Sequence, residues 1–222
     1  MVEGKAARHR LRQPPRRGDR LTPVLVTQRV DSAPSRGERR DALDQRMSAF
    51  LAAAGAMPVP VPNDPDMAIA LYRSLPAAGL LLSGGNDLAA LGGDAPERDA
   101  TERALVCMAR EHRRGVLGVC RGMQFLVHEA GGVLARVEGH VASRHGLSGD
   151  GPAEVNSFHA WAVAALPPGW RAQAWAPDGT VEMAATDDGR IVAIMWHPER
   201  EHGFDAADLR LARRLFGTGA AT

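Results

Sequence analysis

The sequence predicts an α/β fold: a mostly parallel sheet with helices on both faces and a β-rich C-terminal half. Three observations carry this reading. Short apolar runs, Gly79-Leu80-Leu81-Leu82 and Val116 to Val119, read as buried strands. Segments with helical apolar spacing lie between them. Beyond Val133 the apolar runs are short and closely spaced, with a hairpin turn at Asp187-Asp188-Gly189-Arg190.

In chain order, Pro23 to Val30 reads as the first strand. Ser35-Arg36-Gly37-Glu38 opens a long helix whose apolar positions are Ala42, Leu43, Met47, Phe50, Leu51 and Ala54, with Gly55 ending it. Met57 to Pro62 alternates Val and Pro, which suits a sheet edge where a missing N–H does least harm. Asp66 to Leu75 is a short helix. Gly79 to Leu82 breaks into Ser83-Gly84-Gly85-Asn86-Asp87, and Asp99 to Arg114 is an amphipathic helix. Cys107 falls within the apolar pattern of that helix and reads as core. The strand Val116–Val119 and a helix ending at Gly131-Gly132 complete a β-α-β-α-β-α-β-α order, which implies parallel strands with helices on both sides. Val133 to Val137, Ala153 to Asn156, Arg171 to Ala176, Val181 to Thr186 and Ile191 to Trp196 read as strands. Asp205 to Phe216 is a closing helix capped by Gly217.

The charge is unevenly spread. Residues 1–22 carry seven basic and two acidic groups, leaving 20 basic against 24 acidic over the rest of the chain. The mildly acidic body argues against nucleic-acid binding by the fold, and residues 1–22 read as a disordered basic arm. Residues 23–217 then form one catalytic domain, and 218–222 a short tail. Two cysteines in 222 residues do not make a disulfide framework, so a reducing, cytoplasmic setting is expected. No run of eighteen apolar residues occurs, and no membrane association is expected.

The chemistry centres on Gly118-Val119-Cys120-Arg121-Gly122. A strand and a helix flank it, and its layout is that of a nucleophile elbow with Cys in place of Ser. Such a turn lifts the sulfur above the sheet and sets it at a helix N-terminus, which favours the thiolate. The Arg121 N–H then faces an oxyanion, and the Gly85 N–H is the candidate second donor. His197 and Glu199 sit two apart beyond a strand, with Pro198 between them. In an extended segment they share one side, so Cys120, His197 and Glu199 supply nucleophile, base and orienter.

Ser83-Gly84-Gly85-Asn86-Asp87, Gly118 to Gln124, Val155-Asn156-Ser157-Phe158-His159 and Trp196-His197-Pro198-Glu199 together resemble the ordered signature of class I glutamine amidotransferase-like hydrolases, in the γ-glutamyl hydrolase branch. The resemblance spans Pro23 to Phe216. It implies a three-layer, flavodoxin-like fold that needs no cofactor. It also implies that Cys120 attacks a γ-carbonyl, a γ-glutamyl thioester forms, the amine leaves and water releases glutamate. Gln124 and the backbone of Asn156, Ser157, Phe158 and His159 would hold the glutamyl end. Thr27-Gln28-Arg29 and Glu38-Arg39-Arg40 add a narrower likeness to γ-glutamyl-CDP-amidate hydrolases, which serve phosphoramidate decoration of bacterial surface polysaccharides. Arg29, Arg121 and Arg200 are the candidates for a diphosphate-binding wall. Ala160-Trp161 stand where family members often carry Gln, a departure that touches leaving-group contacts and not the triad.

The alternatives are a γ-glutamyl-γ-aminobutyrate-type hydrolase, a glutaminase subunit feeding ammonia to a synthetase, and a non-enzymatic sensor. A small-molecule substrate is the expected partner, and a homodimer is compatible with all of these. No metal is expected. His140 and His145, with His159 or His202, match no ligand spacing and are expected on a loop over the active site.

Overall fold

A computed structural model describes residues 21–218. The basic arm at 1–22 and the tail at 218–222 lie almost wholly outside the described residues. Of their members, Thr22 opens the first strand and Thr218 bonds its hydroxyl to the Ala54 carbonyl at 2.6 Å.

The elements run β1 Thr22–Val26, β2 Arg29–Ala33, β3 Glu38–Ala42, α1 Gln45–Ala53, β4 Ala56–Pro60, α2 Pro65–Ser74, β5 Gly79–Leu82, α3 Pro96–Glu111, β6 Gly115–Val119 and α4 Arg121–Glu129. The second half holds β7 Val133–Arg136, β8 Val141–Gly146, β9 Ser148–Gly149, β10 Glu154–Phe158, β11 Trp161–Ala165, β12 Trp170–Trp175, β13 Val181–Thr186, β14 Ile191–Ile194 and α5 Ala206–Phe216. The main sheet has the order β4-β1-β5-β6-β14-β13-β11-β7. Its first five strands are parallel. Counting only those five, the order is 2-1-3-4-5, the flavodoxin-like winding. The remaining strands add on antiparallel, as the β-rich second half requires.

Alternation along each parallel strand builds two cores. Val24, Val26, Leu81, Leu117, Val119, Val192 and Ile194 pack under α1 and α5. Leu25, Leu80, Leu82, Val116, Ile191 and Ala193 pack under α2, α3 and α4. Both faces are covered, which is why these strands read as unbroken apolar runs. The carboxyl ends of β1, β5, β6 and β14 therefore gather on one rim, and β1 and β5 form the switch point where such sheets bind ligands.

The sequence reading needs correction in several places. The chain from Arg29 to Ala42 is not the end of one strand and the start of a helix. It is an antiparallel hairpin, β2 with β3, turned through Pro34–Arg36 and Gly37 at φ +63°. The helix starts only where the Asp44 side chain caps the Arg46 N–H at 2.9 Å. Cys107 is exposed, because the buried stripe of α3 runs Arg98, Thr101, Glu102, Leu105, Val106 and Ala109 and leaves residue 107 on the outer face. Strands β8 and β11 carry little sequence signal. The first is mostly polar, and the second is Ala-rich without a β-branched alternation. Among the described residues, no helix is long and apolar enough to cross a membrane.

Asp208, in the first turn of α5, accepts the Trp196 indole N–H at 3.1 Å while its second oxygen has no partner. Burial pushes its carboxyl up to about 7, against the pull of the indole. A carboxyl raised in the native state is neutral in both states at low pH. It costs stability as the pH rises from its unfolded value of 3.8 to about 7, and the cost is full above that. The Asp208→Asn variant keeps the indole bond and removes that cost. Its melting temperature is expected above that of the native protein at about pH 8, with the gap closing toward about pH 4.

Candidate active site

Cys120 follows β6 directly and occupies φ +52°, ψ −106°, a strained conformation for a residue with a Cβ. Two features hold it there. Its N–H bonds the Ile194 carbonyl at 2.8 Å, so the turn is tied to the neighbouring strand. The elbow glycines pack on one another: a Cβ on Gly118 would meet the Gly122 carbonyl carbon at 2.8 Å, and one on Gly122 would meet the Leu82 oxygen at 2.4 Å. The first helical bonds of α4 run from Met123 and Gln124 to the Cys120 carbonyl. The amides of Arg121 and Gly122 precede them and have no helical acceptor.

The structure brings Cys120, His197 and Glu199 together. All three are buried. The His197 Nδ1 lies 2.7 Å from Glu199 Oε1, which leaves Nε2 for the other side of the ring. The route to this pair differs from the expected one. The strand ends at Ile194, His197 is extended, and Pro198–Arg200 forms a 3-10 turn that brings the carboxylate back to the ring. Burial of the imidazole works against its proton. The Cys120 sulfur and the Glu199 carboxylate hold the proton instead, and His197 is raised to about 9. A Cβ on Gly84 would meet His197 Cε1 at 2.5 Å, so the glycine leaves the space in which the imidazole sits.

The loop that presents Gly85 rests on a buried charge network that no sequence motif marks. Arg98 donates to the carbonyls of Ser83 at 2.6 Å and Gly84 at 3.1 Å, to Gly85, and to Asn86 Oδ1 at 3.3 Å. Its Nε bonds Glu102 at 3.0 Å. Glu102 also accepts from Arg121 and, at 2.8 Å, from Thr27. Burial lowers Arg98 to about 10, which leaves it charged. Burial also opposes the charge on Glu102, but Arg121 and Arg98 hold it below the ordinary carboxylate range. The available signal was Arg98, Thr101 and Glu102 lying on the same helical face as Leu105.

Arg121 is therefore corrected: its side chain pairs with Asp99 and Glu102 and is buried, so it is not part of a diphosphate wall. The cleft beside His197 has a volume of about 240 Å³. With His197 it is lined by Arg29, Asp31, Leu43, Met47, Ser83, Gly84, Gly85, Glu199 and Arg200. The β2–β3 hairpin thus supplies part of the cleft wall. Arg29 pairs with Asp31 at 2.7 Å, and the Arg200 guanidinium lies 4.6 Å from the Phe158 ring centre.

The expected glutamyl-binding residues divide. Phe158 is exposed, with its ring edge-on to His197 at 6.0 Å. Gln124 is buried and bonds the Trp161 carbonyl at 3.1 Å. None of the five side chains is among those that line the cleft, and the other three are bonded to neighbouring segments. Asn156 clamps the backbone of His197 through both its amide atoms, at 2.8 and 3.1 Å, and so positions the imidazole. Ser157 bonds the His140 carbonyl at 2.8 Å. His159 packs among His140, Glu182 and the Trp161 carbonyl. His140 and His145 are not on a loop over the cleft: His140 is buried, and His145 belongs to β8.

Two outcomes are expected. The His197 ring titrates near pH 9 by NMR, and in Cys120→Ala its pKa falls as the sulfur that holds the proton is removed and burial remains. Gly84→Ala pushes the imidazole from its place at 2.5 Å and lowers turnover at least ~10-fold, with a melting temperature little changed.

The Peptidase C26 family model matches residues 24–142 and 137–199. A γ-glutamyl-CDP-amidate hydrolase from Campylobacter jejuni is 30% identical over 148 residues, covering 66% of this chain and 74% of that protein. A glutamine-hydrolysing GMP synthase from Thermus thermophilus is 37% identical over 100 residues, covering 39% of this chain and only 19% of the synthase. Among solved structures, a protein described as one chain of a GMP synthase, from Thermoplasma acidophilum, superposes with a TM-score of 0.66 at 20% identity, over 89% of this chain and 94% of that one. That likeness concerns the fold, a glutamine amidotransferase architecture. The chain belongs to the Peptidase C26 family, of the class I glutamine amidotransferase-like type.

Proposed function

We propose that this chain is a cysteine hydrolase of γ-glutamyl amides. The observation that carries the reading is the buried imidazole of His197. It lies between the Cys120 sulfur and the Glu199 carboxylate and keeps its proton to about pH 9. The imidazole is placed to take the thiol proton, and the thiolate so formed is the nucleophile. The thiolate attacks the γ-carbonyl carbon, and the oxyanion is received by the amides of Gly85 and Arg121. His197 gives its proton to the leaving amine, the C–N bond breaks and a γ-glutamyl thioester remains. Water then attacks the thioester while His197 takes its proton. Glutamate leaves, and the thiolate–imidazolium pair is restored. Glu199 holds Nδ1 throughout, so that Nε2 is the nitrogen that moves protons. The unpaired cysteines suit a reducing, cytoplasmic setting.

The substrate favoured is a nucleotide-linked γ-glutamyl amide, with γ-glutamyl-CDP-amidate the first choice. Arg29 and Arg200 line the cleft next to His197, where the leaving group of an acylated Cys120 would depart. The Campylobacter relative carries that activity in its name. The product, CDP-amidate, would serve phosphoramidate decoration of a surface polysaccharide. A second reading, a glutaminase subunit of a synthetase, is favoured by the likeness to GMP synthases.

The test measures glutamate release by the purified chain from γ-glutamyl-CDP-amidate, γ-glutamyl-γ-aminobutyrate and glutamine. Expected are full turnover without a partner, the highest kcat/KM for the nucleotide, and a loss of at least ~10³-fold in Cys120→Ala. Undiminished turnover in Cys120→Ala would remove the hydrolase reading. Activity on glutamine alone, and only with a synthetase added, would replace it with the second.

A further inference from the structure

Behind the Ser157-Phe158 segment lies a second cluster that takes no part in the chemistry above. His140 precedes β8, His145 lies on β8, His159 follows β10 and Glu182 lies on β13. None of them lines the cleft. We propose that His140, His145 and Glu182 form a binding site for one zinc ion, with His159 bonded beside them.

The tautomers argue for it. His159 Nδ1 lies 3.1 Å from the Trp161 carbonyl, and His145 Nδ1 lies 3.1 Å from the Gly146 carbonyl. A carbonyl only accepts, so both Nδ1 atoms carry hydrogen and donate. His140 Nε2 donates to Asp178 at 3.0 Å. The remaining nitrogens, His140 Nδ1, His145 Nε2 and His159 Nε2, then turn lone pairs toward the Glu182 carboxylate. An outer ring N–H fixed by a carbonyl or carboxylate, with the inner nitrogen free, is the arrangement of histidines that ligate metals.

The spacing fits as well. His159 Nε2 lies 3.2 Å from both His140 Nδ1 and Glu182 Oε1, and His140 Nδ1 lies 3.3 Å from Glu182 Oε1. Zinc bonds of ~2.0–2.1 Å in a tetrahedron place ligand atoms ~3.3 Å apart. His145 Nε2 stands a little wider, at 3.7 Å from Glu182 Oε1. The ligand atoms of His140, His145 and Glu182 all lie within 4.8 Å of one another, and His159 falls outside that set, its Nε2 bonding to His140 and Glu182 from beside it.

A proton is the competing occupant. Placed on His159 Nε2, it links Glu182 Oε1 and His140 Nδ1. It leaves His145 Nε2 and Glu182 Oε2 buried without a partner. Glu182 is 0% exposed, so that loss of bonding is costly. A cation held by His140, His145 and Glu182 gives the orphaned His145 Nε2 a partner. Its two charges balance Glu182 and Asp178, and an imidazole-rich set with one carboxylate suits zinc over magnesium or calcium. Asp178, half exposed, marks the way in. The bound ion would fasten β8 to β13, and His159, bonded to the same carboxylate, ties in the turn that leads to Trp161, whose carbonyl binds Gln124.

The experiment uses full-length, tag-free protein in the Cys120→Ala background, so that the reactive thiol does not bind metal. After chelator treatment, zinc is titrated in competition with a chromogenic chelator, and cobalt is titrated by visible absorption. One zinc per chain is expected, with a raised melting temperature and the strong visible bands of four-coordinate cobalt. His145→Ala and Glu182→Gln should each weaken zinc at least ~10-fold, while replacing the exposed His202 changes nothing. If Glu182→Gln does not fold, His145→Ala at the cluster's more open side decides. No saturable uptake at one per chain, or uptake unchanged in His145→Ala, overturns the site and leaves a proton-held cluster.

Discussion

The Arg98 guanidinium is the tie on which the rim of the sheet depends. It reaches from α3 under the Ser83–Asn86 loop and binds consecutive carbonyls there. Through Glu102 it joins Thr27 at the end of β1 and Arg121 at the start of α4. Four segments that meet only at their ends are thus held by one buried set of charges. Such sets are poor stabilisers, since the desolvation of each ion offsets most of its attraction. What this one supplies is direction. Carbonyls drawn down onto Arg98 turn the peptide planes of the loop, so that the amide of Gly85 is directed away from Arg98. An apolar replacement of similar volume would fill the space and leave those planes unfixed.

Strain at Cys120 is sustained by the same surroundings. A positive φ at a residue with a Cβ costs on the order of 1–3 kcal/mol. The bond from the Cys120 N–H to Ile194 places that cost on the β6–β14 register, which is set by parallel pairing from Ile191 to Ile194. The strand that orients the thiol is therefore the strand that leads to His197. Asn156 closes the loop from the other side by gripping the backbone of His197 with both amide atoms. The Cys120 thiol and the His197 imidazole are positioned against one another by main chain, which explains how two residues 77 positions apart can meet with little side-chain searching.

Much of this is legible in the sequence where local rules and burial agree. Gly79–Leu82 and Val181–Thr186 match their expected bounds to the residue, because apolar or alternating runs are bounded by turns. The elbow is legible because only Gly at positions 118 and 122 lets the strand and helix approach so closely. The hairpin at Arg29–Ala42 is not. Its side chains are largely exposed, so no burial pattern marks it, and Ala42 and Leu43 happen to continue the period of α1. Arg98 and Glu102 escape a sequence reading for the opposite reason: charged residues in a buried stripe announce themselves only once their partners from other elements are known. For Asn156, Ser157 and His159 the expectation concerned the backbone, and their side chains hold neighbouring segments. A motif names residues that belong together without saying which side chains meet the ligand.

That distinction bears on how the cleft selects its occupant. Part of the cleft wall is made by the β2–β3 hairpin, and the Asn86 side chain holds it to the site loop through both the N–H and carbonyl of Val30, at 2.8 and 2.9 Å. Asn86 in turn receives Arg98. The hairpin that presents Arg29 and the loop that presents Gly85 are consequently one mechanical unit with the elbow. A leaving group held by Arg29 or Arg200 would be registered against the scissile bond by main-chain contacts, and the salt bridge of Arg29 to Asp31 must open for it. Exposed pairs of this kind are weak, ~0–1 kcal/mol, so a doubly charged phosphate displaces the carboxylate with little loss. A neutral amine offers nothing in exchange. On the function proposed above, charge replacement at Arg29 is what would favour an anionic leaving group.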